Sequence, residues 1–278
     1  MRIVVTGGSG KAGRWVVRDL RDRGHDVLNV DVVRDDSEHG MCVVTDLTDL
    51  GQARDVIDGA EAVVHLAAIP APGLRPTAET FRNNALSTYN VFQAAEGAGV
   101  RRVVWASSET VLGLPFDRPP DFAPIDETIT PRPESSYALS KLVGETMAEQ
   151  FARRTGVAHV GLRISNIMEP ADYARFPSWQ SDPTVRKWNL WGYVDVRDVA
   201  QAARRALEAD VSGAPVCIVA AADTCMERPS ADLMAEVFPT VPLRRALEAR
   251  ETLLSIDRAR SFLGYEPEHH WQDEVAIR

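Results

Sequence analysis

Short apolar runs rich in β-branched residues alternate along the chain with longer stretches whose apolar positions recur every three to four residues. The first pattern is typical of buried strands, and the second of amphipathic helices. Strands are predicted at residues 3–6, 26–31, 42–46, 62–67, 102–107, 157–164 and 216–219. Helices are predicted at residues 12–23, 51–59, 80–98, 136–155 and 195–208, with weaker patterns at 231–237 and 256–263. This alternation predicts an α/β fold, a doubly wound parallel sheet covered by helices.

Two segments break the alternation. Residues 114–134 are rich in proline and aspartate, and they are predicted to form a loop over the edge of the sheet. From residue 169 to residue 192 the periodicity fails, and three tryptophans stand among polar residues, namely Trp179, Trp188 and Trp191. Such a segment is more typical of a lid or a partner surface than of a core element.

The 278 residues are enough for one wound core with a modest appendage. We predict a wound α/β core over residues 1–165 and a mixed region over residues 166–278. Within the mixed region, residues 193–222 are expected to return to the core. Residues 166–192 and 223–278 are expected to form a small C-terminal substrate-binding lobe.

Charge and cysteine content exclude several classes of function. Forty acidic and 31 basic residues give a net charge of −9, so the overall field disfavours nucleic acids and anionic membranes as partners. No stretch approaches the roughly 20 apolar residues of a membrane-spanning helix, and no targeting segment is recognisable, so we expect a cytoplasmic protein. Three cysteines without metal-ligand spacing predict reduced thiols and no metal site: Cys42, Cys217 and Cys225.

Three glycines with the spacing G-x-x-G-x-x-G, Gly7, Gly10 and Gly13, follow the first predicted strand. Glycine permits a tight turn and lets the backbone approach a pyrophosphate at the positive end of the next helix. A purely structural turn can look similar, but Asp31 closes the second predicted strand, as in dinucleotide-binding units. A carboxylate there binds ribose hydroxyls and repels a 2′-phosphate, which favours NAD over NADP. Lys11 either contacts the pyrophosphate or faces water.

A tyrosine and a lysine, Tyr137 and Lys141, lie one turn apart on the predicted helix 136–155. A lysine ammonium beside a phenol favours the phenolate, which can exchange a proton with a substrate hydroxyl. An ordinary exposed pair has the same spacing, but lysine is scarce here, with three lysines among 31 basic residues. Ser108, at the end of the fifth predicted strand, is expected to reach the same crevice or to cap the strand end.

In this order, the glycine turn, the strand-end serine and the Tyr-x-x-x-Lys pair resemble the extended short-chain dehydrogenase/reductase superfamily, within it the NAD-dependent epimerase/dehydratase family. The resemblance covers most of residues 1–210, and it is strengthened by the sequences His65-Leu66-Ala67-Ala68 and Tyr193-Val194-Asp195-Val196. The short, tryptophan-rich insert and the Glu169-Pro170 turn are similar to those of uronate dehydrogenases, in which an arginine holds the substrate carboxylate.

The resemblance implies that the doubly wound sheet is an NAD-binding Rossmann core, and it implies roles for particular residues. The implied catalytic residues are Ser108, Tyr137 and Lys141. The implied cofactor-binding residues are Gly7, Ser9, Gly10, Lys11, Ala12, Gly13, Asp31, Asp46, Leu47, Ala67, Ala68 and Asn84, together with Tyr137 and Lys141. The implied substrate-binding residues are Ser108, Glu109, Asn166 and Arg175. Arg175 is the candidate for a substrate carboxylate, although a solvated loop arginine is an equal alternative, and His65 is interpreted as structural.

The predicted function is therefore an NAD-dependent oxidoreductase that moves a hydride from a secondary alcohol or lactol of a sugar-like substrate, with a uronate as one candidate. Because Thr110 follows Glu109 where family dehydratases have an Asp-Glu pair, elimination chemistry is not expected. One alternative is a nucleotide-sugar epimerase that retains its NAD. Another is a non-catalytic dinucleotide sensor on the same fold. The helices at 80–98 and 136–155 suit either a homodimer interface or packing on the sheet.

Overall fold

The computed structural model describes residues 1–34 and 42–276, which form a parallel sheet of seven strands in the order β3-β2-β1-β4-β5-β6-β9. The strands are β1 (Arg2–Thr6), β2 (Asp26–Asp31), β3 (Cys42–Val44), β4 (Ala62–His65), β5 (Arg102–Ser108), β6 (Ala158–Ile164) and β9 (Val216–Val219). A separate parallel pair is formed by β7 (Ile167–Met168) and β8 (Val194–Asp195). The α/β prediction of a doubly wound parallel sheet is confirmed.

Helices cover both faces of this sheet. They are α1 (Gly13–Asp22), α2 (Leu50–Ile57), α3 (Thr77–Ala98), α4 (Ser136–Thr155), α5 (Val196–Glu208), α6 (Ser230–Val237), α7 (Asp257–Leu263) and α8 (Trp271–Ala276). On one face α2, α3 and α4 pack over side chains such as Val4, Val63 and Val103. On the other face α1 and α5 pack over the alternate positions, such as Val5 and Val104. Burial on both faces explains why the strands are nearly continuous apolar runs.

The predicted loop at residues 114–134 is a strap that enters the core. Phe116, Phe122 and Ile125 are buried in the main apolar cluster. The Ala123 backbone N–H donates to the Pro242 carbonyl at 3.0 Å, and the Ile125 N–H donates to the Leu253 carbonyl at 2.8 Å. The strap therefore joins the sheet to the C-terminal part of the chain.

The prediction that residues 169–192 form no core element is wrong, whereas a lid or partner surface in this segment stays a prediction. Tyr173, Phe176 and Trp191 are at most 1% exposed and belong to the main apolar cluster. The segment folds into 3₁₀ turns at Pro170–Trp179 and Lys187–Asn189, whose period differs from that of an α-helix. Its aromatic residues consequently lack the spacing by which a core helix is recognised.

The predicted domain boundary between residues 165 and 166 stays a prediction. The segment 193–222 contributes α5, which packs on α1, and β9, which pairs with β6. One apolar cluster runs from the sheet into the C-terminal elements through Leu233, Leu254 and Tyr265. Residues 277–278 of the predicted lobe lie outside the described part. No helix within 1–34 and 42–276 combines the length and apolarity needed to cross a membrane.

Candidate active site

A cavity of about 970 Å³ opens at the carboxyl ends of the central strands. It is lined by Gly7 after β1, Asp31 at the end of β2, Ala67 after β4, Ser108 at the end of β5 and Ile164 at the end of β6. This edge of a doubly wound sheet is where such folds bind ligands, because the strand order reverses there.

The glycine turn at one end of the cavity has no room for side chains. Gly7 has a positive φ of 71°, and a Cβ on it would lie 2.6 Å from the Ala67 backbone nitrogen. A Cβ on Gly13 would overlap the Gly7 carbonyl oxygen. The turn therefore presents bare backbone at the first turn of α1, where N–H groups without helical partners attract a phosphate. These features fit the pyrophosphate of a dinucleotide.

Asp31 is held in one orientation beside this turn. Its carboxylate accepts from the backbone N–H groups of Ser9 at 3.0 Å, Val32 at 2.7 Å and Val33 at 3.2 Å. Asp46, also at the cavity, accepts from Thr48 Oγ1 at 2.7 Å, and that bond is the main cause of its lowered pKa. The fixed carboxylate of Asp31 at the end of β2 fits adenosine ribose hydroxyls and disfavours a 2′-phosphate.

The other predicted cofactor residues divide into two groups. Those in the cavity wall are Gly10, Lys11, Ala12, Leu47, Ala67 and Ala68. Ser9 and Asn84 are not among the lining residues. Asn84 instead clamps a loop, because its side chain accepts from the Ile69 N–H at 2.8 Å and donates to the Ile69 carbonyl at 3.0 Å. The adjacent Asn83 lines the cavity.

Lys11 extends from the glycine turn to the opposite wall. Its Nζ donates to the Ile167 carbonyl at 2.9 Å and forms an ion pair with Asp172 at 2.5 Å. Arg14 pairs with Glu169 in the same segment, and Trp15 Nε1 donates to Glu169 at 3.2 Å. These contacts join the start of α1 to the 169–172 turn. Lys11 therefore neither faces water alone nor points freely into the cavity.

Local sequence explains where the Tyr-x-x-x-Lys pair lies. The Ser135 side chain caps α4 by accepting from the Ala138 N–H at 3.1 Å, and Gly156 ends the helix with a φ of 74°. Tyr137 is therefore in the first turn, beside the carboxyl end of β5, and Lys141 follows one turn later. Lys141 Nζ donates to the Ala106 carbonyl of β5 at 2.7 Å and lies 5.7 Å from the centre of the Tyr137 ring.

Ser108, Tyr137 and Lys141 line the cavity together, and each is at least nine-tenths buried. Ser108 Oγ also caps the following 3₁₀ turn by accepting from the Thr110 N–H at 3.2 Å. Both interpretations of this serine, cavity residue and strand-end cap, therefore hold. Behind it, the buried carboxylate of Glu145 binds Ser107 Oγ at 2.7 Å and Arg163 Nη2 at 2.8 Å. This pair ties α4 to β5 and β6.

Burial governs the electrostatics of the Tyr137–Lys141 pair. Burial raises the pKa of Tyr137 to about 12; a hydrogen bond with Ser108 lowers the pKa and the charge of Glu109 raises it. Burial also lowers the pKa of Lys141 to about 8. The phenol pKa therefore lies above its usual value in this structure, with burial as the largest cause, and the expected effect of the lysine on it stays a prediction. Lys141 itself remains charged on most molecules at neutral pH.

His65 is a structural residue, as expected. It accepts or donates on both ring nitrogens, with Thr6 Oγ1 at 2.7 Å and Thr88 Oγ1 at 3.1 Å. Burial, followed by the charge of Lys141, lowers the pKa of His65 to about 3, so the ring stays neutral. It ties β1 and β4 to α3 and does not line the cavity.

Two of the predicted substrate residues, Glu109 and Asn166, lie at the cavity next to Ser108. Arg175 does not line it; its side chain is 61% exposed and pairs with Asp172 at 2.9 Å. Its assignment to a substrate carboxylate remains a prediction that its location does not support. Another arginine, Arg186, lies directly behind the cavity wall: it is not a lining residue itself, but its Nη2 donates to the amide oxygen of the lining residue Asn166 at 3.0 Å.

Arg186 is a buried cation that sequence reasoning missed. It is 7% exposed, and its guanidinium lies 4.7 Å from the Trp179 ring centre and 4.8 Å from that of Trp188. Among the described residues, no carboxylate forms an ion pair with it, and its Nε has no hydrogen-bond partner. The signal in the sequence was an arginine between two tryptophans in an aperiodic segment, since indole faces favour a guanidinium.

Comparisons with known proteins agree with this geometry. The sequence profile described as the NAD dependent epimerase/dehydratase family matches residues 3–220. An L-arabinose 1-dehydrogenase (NAD(P)(+)) of Haloferax volcanii is 31% identical over 225 residues, which are 78% of this chain and 86% of that protein. A uronate dehydrogenase of Pseudomonas syringae pv. tomato is 30% identical over 185 residues, 65% of each chain. A solved short-chain dehydrogenase/reductase superfamily protein of Agrobacterium tumefaciens with bound NAD has a TM-score of 0.78 at 25% identity, covering 100% of this chain and 95% of that one.

Proposed function

Since this chain belongs to the NAD-dependent epimerase/dehydratase family, we propose that it is a sugar dehydrogenase that oxidises a secondary alcohol or lactol carbon of a hexuronate. It is an enzyme of the short-chain dehydrogenase/reductase type, and NAD is its cofactor. The proposal is carried by one observation, the convergence of Ser108, Tyr137 and Lys141 on the cavity that begins at the glycine turn.

Each of these three side chains has a separate task in the proposed reaction. Tyr137 accepts the proton of the substrate hydroxyl, and Ser108 donates a hydrogen bond to the reacting oxygen. Lys141, which is charged and fixed to the Ala106 carbonyl, stabilises the phenolate that Tyr137 needs to become a base. When bound, NAD supplies the positively charged ring that accepts the hydride. The glycine turn and Asp31 would hold its pyrophosphate and its adenosine ribose.

The proposal that the substrate is an anionic sugar depends on Arg186. A buried guanidinium without an ion pair is costly, and an arginine recognises a carboxylate by charge-assisted hydrogen bonds. Asn166, which accepts from Arg186, lines the cavity beside Ser108. A substrate whose hydroxyl lies between Ser108 and Tyr137 would therefore have its carboxylate toward Arg186.

The test is a panel of hexoses, hexuronates and their nucleotide-linked forms, with NADH formation as the measurement. We expect hexuronates to give the highest kcat/KM and NAD to be preferred over NADP. Oxidation of neutral sugars alone would contradict the anionic substrate and leave the dehydrogenase chemistry intact. Absence of NADH with the whole panel would contradict the dehydrogenase.

The two rival functions predict different results. A nucleotide-sugar epimerase would purify with retained NAD and interconvert two nucleotide sugars without net NADH. A dinucleotide sensor would bind NAD and turn over nothing. The buried Tyr137–Lys141 pair argues against the sensor, because a protein that only binds NAD does not need a buried phenol and ammonium at its cofactor cavity.

We also propose a cytoplasmic homodimer. Leu86 and Tyr89 on α3 and Leu139 on α4 are large hydrophobic residues that stay 38–43% exposed, and such residues suit a helix-on-helix interface. Three buried, unpaired cysteines fit a reducing compartment. Sedimentation should show a dimer that Leu86→Lys dissociates, whereas Leu243→Lys, at a comparably exposed leucine on another element, should not. A monomeric parent protein would contradict the dimer.

A further inference from the structure

Next to Ser108, five polar residues from separated segments form one connected cluster. Ser165 Oγ donates to Glu109 Oε2 at 2.6 Å, and Asn189 Nδ2 donates to Glu109 Oε1 at 3.3 Å. Asn166 donates its backbone N–H to Glu109 and accepts from Arg186 Nη2 with its side chain. An acid and a base are thus linked through Asn166 without forming an ion pair.

Because the cluster is buried, ionised side chains in it have a high free energy. Glu109 is 3% exposed, Arg186 7% and Asn189 0%. Besides Arg186 Nε, the amide oxygen of Asn189 lacks a hydrogen-bond partner in the described part of the chain. A second anion brought into this space would face an ionised Glu109 in a medium that screens charge poorly. Two carboxylates that share such a site cannot both remain ionised at low cost.

We propose that Glu109 is a specificity-determining residue that takes up one proton when a hexuronate carboxylate binds at Arg186. The inference rests on the proposed function and deepens it. When the carboxyl of Glu109 is neutral, the charge of Arg186 is available to the substrate carboxylate. The repulsion between Glu109 and that carboxylate is then absent. The site therefore couples the choice of an anionic sugar to a proton that enters with it.

The charge of Glu109 is poised for such a change. Burial raises the pKa of Glu109 to about 7, while hydrogen bonds from Ser165 and Asn189 and the charge of Arg186 oppose the rise. At neutral pH about half of the molecules consequently carry the proton before substrate binds. A substrate carboxylate would raise this pKa further, because it adds a negative charge and occupies Arg186.

The other groups around Glu109 keep their charges over the useful pH range. From α4, Tyr137 is neutral, and Lys141, with a pKa of about 8, is mostly charged up to pH 7.5. Near Arg186, burial raises the pKa of Cys225 to about 12, so this thiol is neutral. Since an ionised Glu109 raises the pKa of Tyr137, the proton on Glu109 also favours the phenolate required for catalysis.

The experiment is calorimetric titration of glucuronate into the protein saturated with NADH, which prevents hydride transfer. Two buffers with different protonation enthalpies report the protons taken up. At pH 7 we expect uptake of about half a proton per site, given the pKa of about 7. Between pH 6 and pH 7.5 the affinity should fall about fourfold, because only the protonated form binds tightly. Glucose should show neither effect.

Glu109→Gln mimics the neutral carboxyl and should bind glucuronate without proton uptake and with equal affinity at both pH values. The matched control is Glu127→Gln, which removes a half-buried carboxyl whose pKa burial also raises; it lies outside the cavity and accepts from the Ile218 N–H at 2.7 Å. Glu127→Gln should keep the proton uptake of the parent. Melting temperatures of both variants confirm that they are folded.

Three outcomes would overturn the inference. Glucuronate binding without proton uptake would show that Glu109 is not coupled, and hexuronate oxidation could still proceed. Uptake that persists in Glu109→Gln would assign the proton to another group. If glucuronate does not bind while neutral sugars are oxidised, the anion site is wrong and the dehydrogenase stands. Because binding is measured without turnover, a failure of the chemistry is seen separately in the substrate panel.

Discussion

The two ends of the cavity are built in different ways. At the cofactor end, the glycine turn presents backbone within a single run from Gly7 to Gly13, and Asp31 lies fixed by three N–H groups. At the substrate end, side chains from residues 109, 165–166 and 186–189 meet in one buried cluster. The cofactor end is built from residues that are close together in the sequence, and it presents polar backbone groups. The substrate end is built from residues that are far apart in the sequence, and it presents charged side chains.

This difference shows how one fold keeps a cofactor and varies a substrate. A pyrophosphate can be bound by a turn and a helix terminus, which need no particular side chain. A particular sugar needs charges and hydrogen-bond partners at chosen places, so its site is assembled from loops that tolerate change. Ser108, Tyr137 and Lys141, the proposed catalytic residues, line the same cavity.

The largest effect is expected from Tyr137→Phe, which removes the proposed proton acceptor from this cavity. The value of kcat should fall roughly a thousandfold, within the range of general acid–base catalysis, while NAD affinity stays near that of the parent. Steady-state NADH formation measures kcat, and titration with NAD measures the affinity. Tyr89→Phe on α3 is the matched control: it lies outside the cavity and keeps the aromatic ring at the proposed dimer interface, so it should be silent. Full turnover by Tyr137→Phe would refute the mechanism.

The substrate end is tested by comparing two arginines. Arg186→Met keeps volume and removes the buried charge, so KM for glucuronate should rise by roughly thirtyfold to a hundredfold, or about 2–3 kcal/mol. KM for NAD should not change. Arg175→Met should leave both values unaltered, since this side chain is largely exposed and paired with Asp172. If KM for glucuronate rises more in Arg175→Met than in Arg186→Met, the substrate carboxylate binds at Arg175, as the sequence predicts.

The cofactor end is tested by Gly13→Ala. The added Cβ would overlap the Gly7 carbonyl, and such overpacking costs about 1–3 kcal/mol. We expect NAD affinity to fall about tenfold or more, with a lower melting temperature. Gly97→Ala on α3, where nothing lies within 4 Å, should retain affinity and stability. An unchanged NAD affinity in Gly13→Ala would mean that the pyrophosphate lies elsewhere.

The smallest effect is expected from Asp31→Asn, which removes a charge and keeps the shape. Loss of about 1 kcal/mol of charged hydrogen bonding predicts roughly a fivefold weaker NAD affinity. NADP should gain relative to NAD, because the repulsion of a 2′-phosphate disappears. The ratio of the two kcat/KM values is the measurement, with Asp49→Asn, the capping aspartate of α2, as the control. An unchanged ratio would remove Asp31 from cofactor selection.

Much of the molecule follows from local sequence. The strands 26–31 and 216–219 and the helix 136–155 were predicted with the bounds that the structure has. Their apolar spacing and their caps, such as Ser135 and Gly156, depend only on neighbours along the chain. The glycine turn and the Tyr137–Lys141 pair also lie within a few neighbouring residues each. For this reason the sequence predicts the cofactor end.

Local spacing by itself determined the order of the elements, the dinucleotide turn and the tyrosine–lysine pair, because backbone geometry and one-turn neighbours are encoded within a few residues. Only the tertiary structure decided that Arg186 rather than Arg175 approaches Asn166, that three aromatic residues of the 169–192 segment are core, and that burial raises the pKa of Tyr137 and of Glu109. Burial and electric field depend on which distant segments exclude water from a group, and Glu109 and Asn189 meet although 80 positions separate them. No pattern of neighbouring residues carries that information.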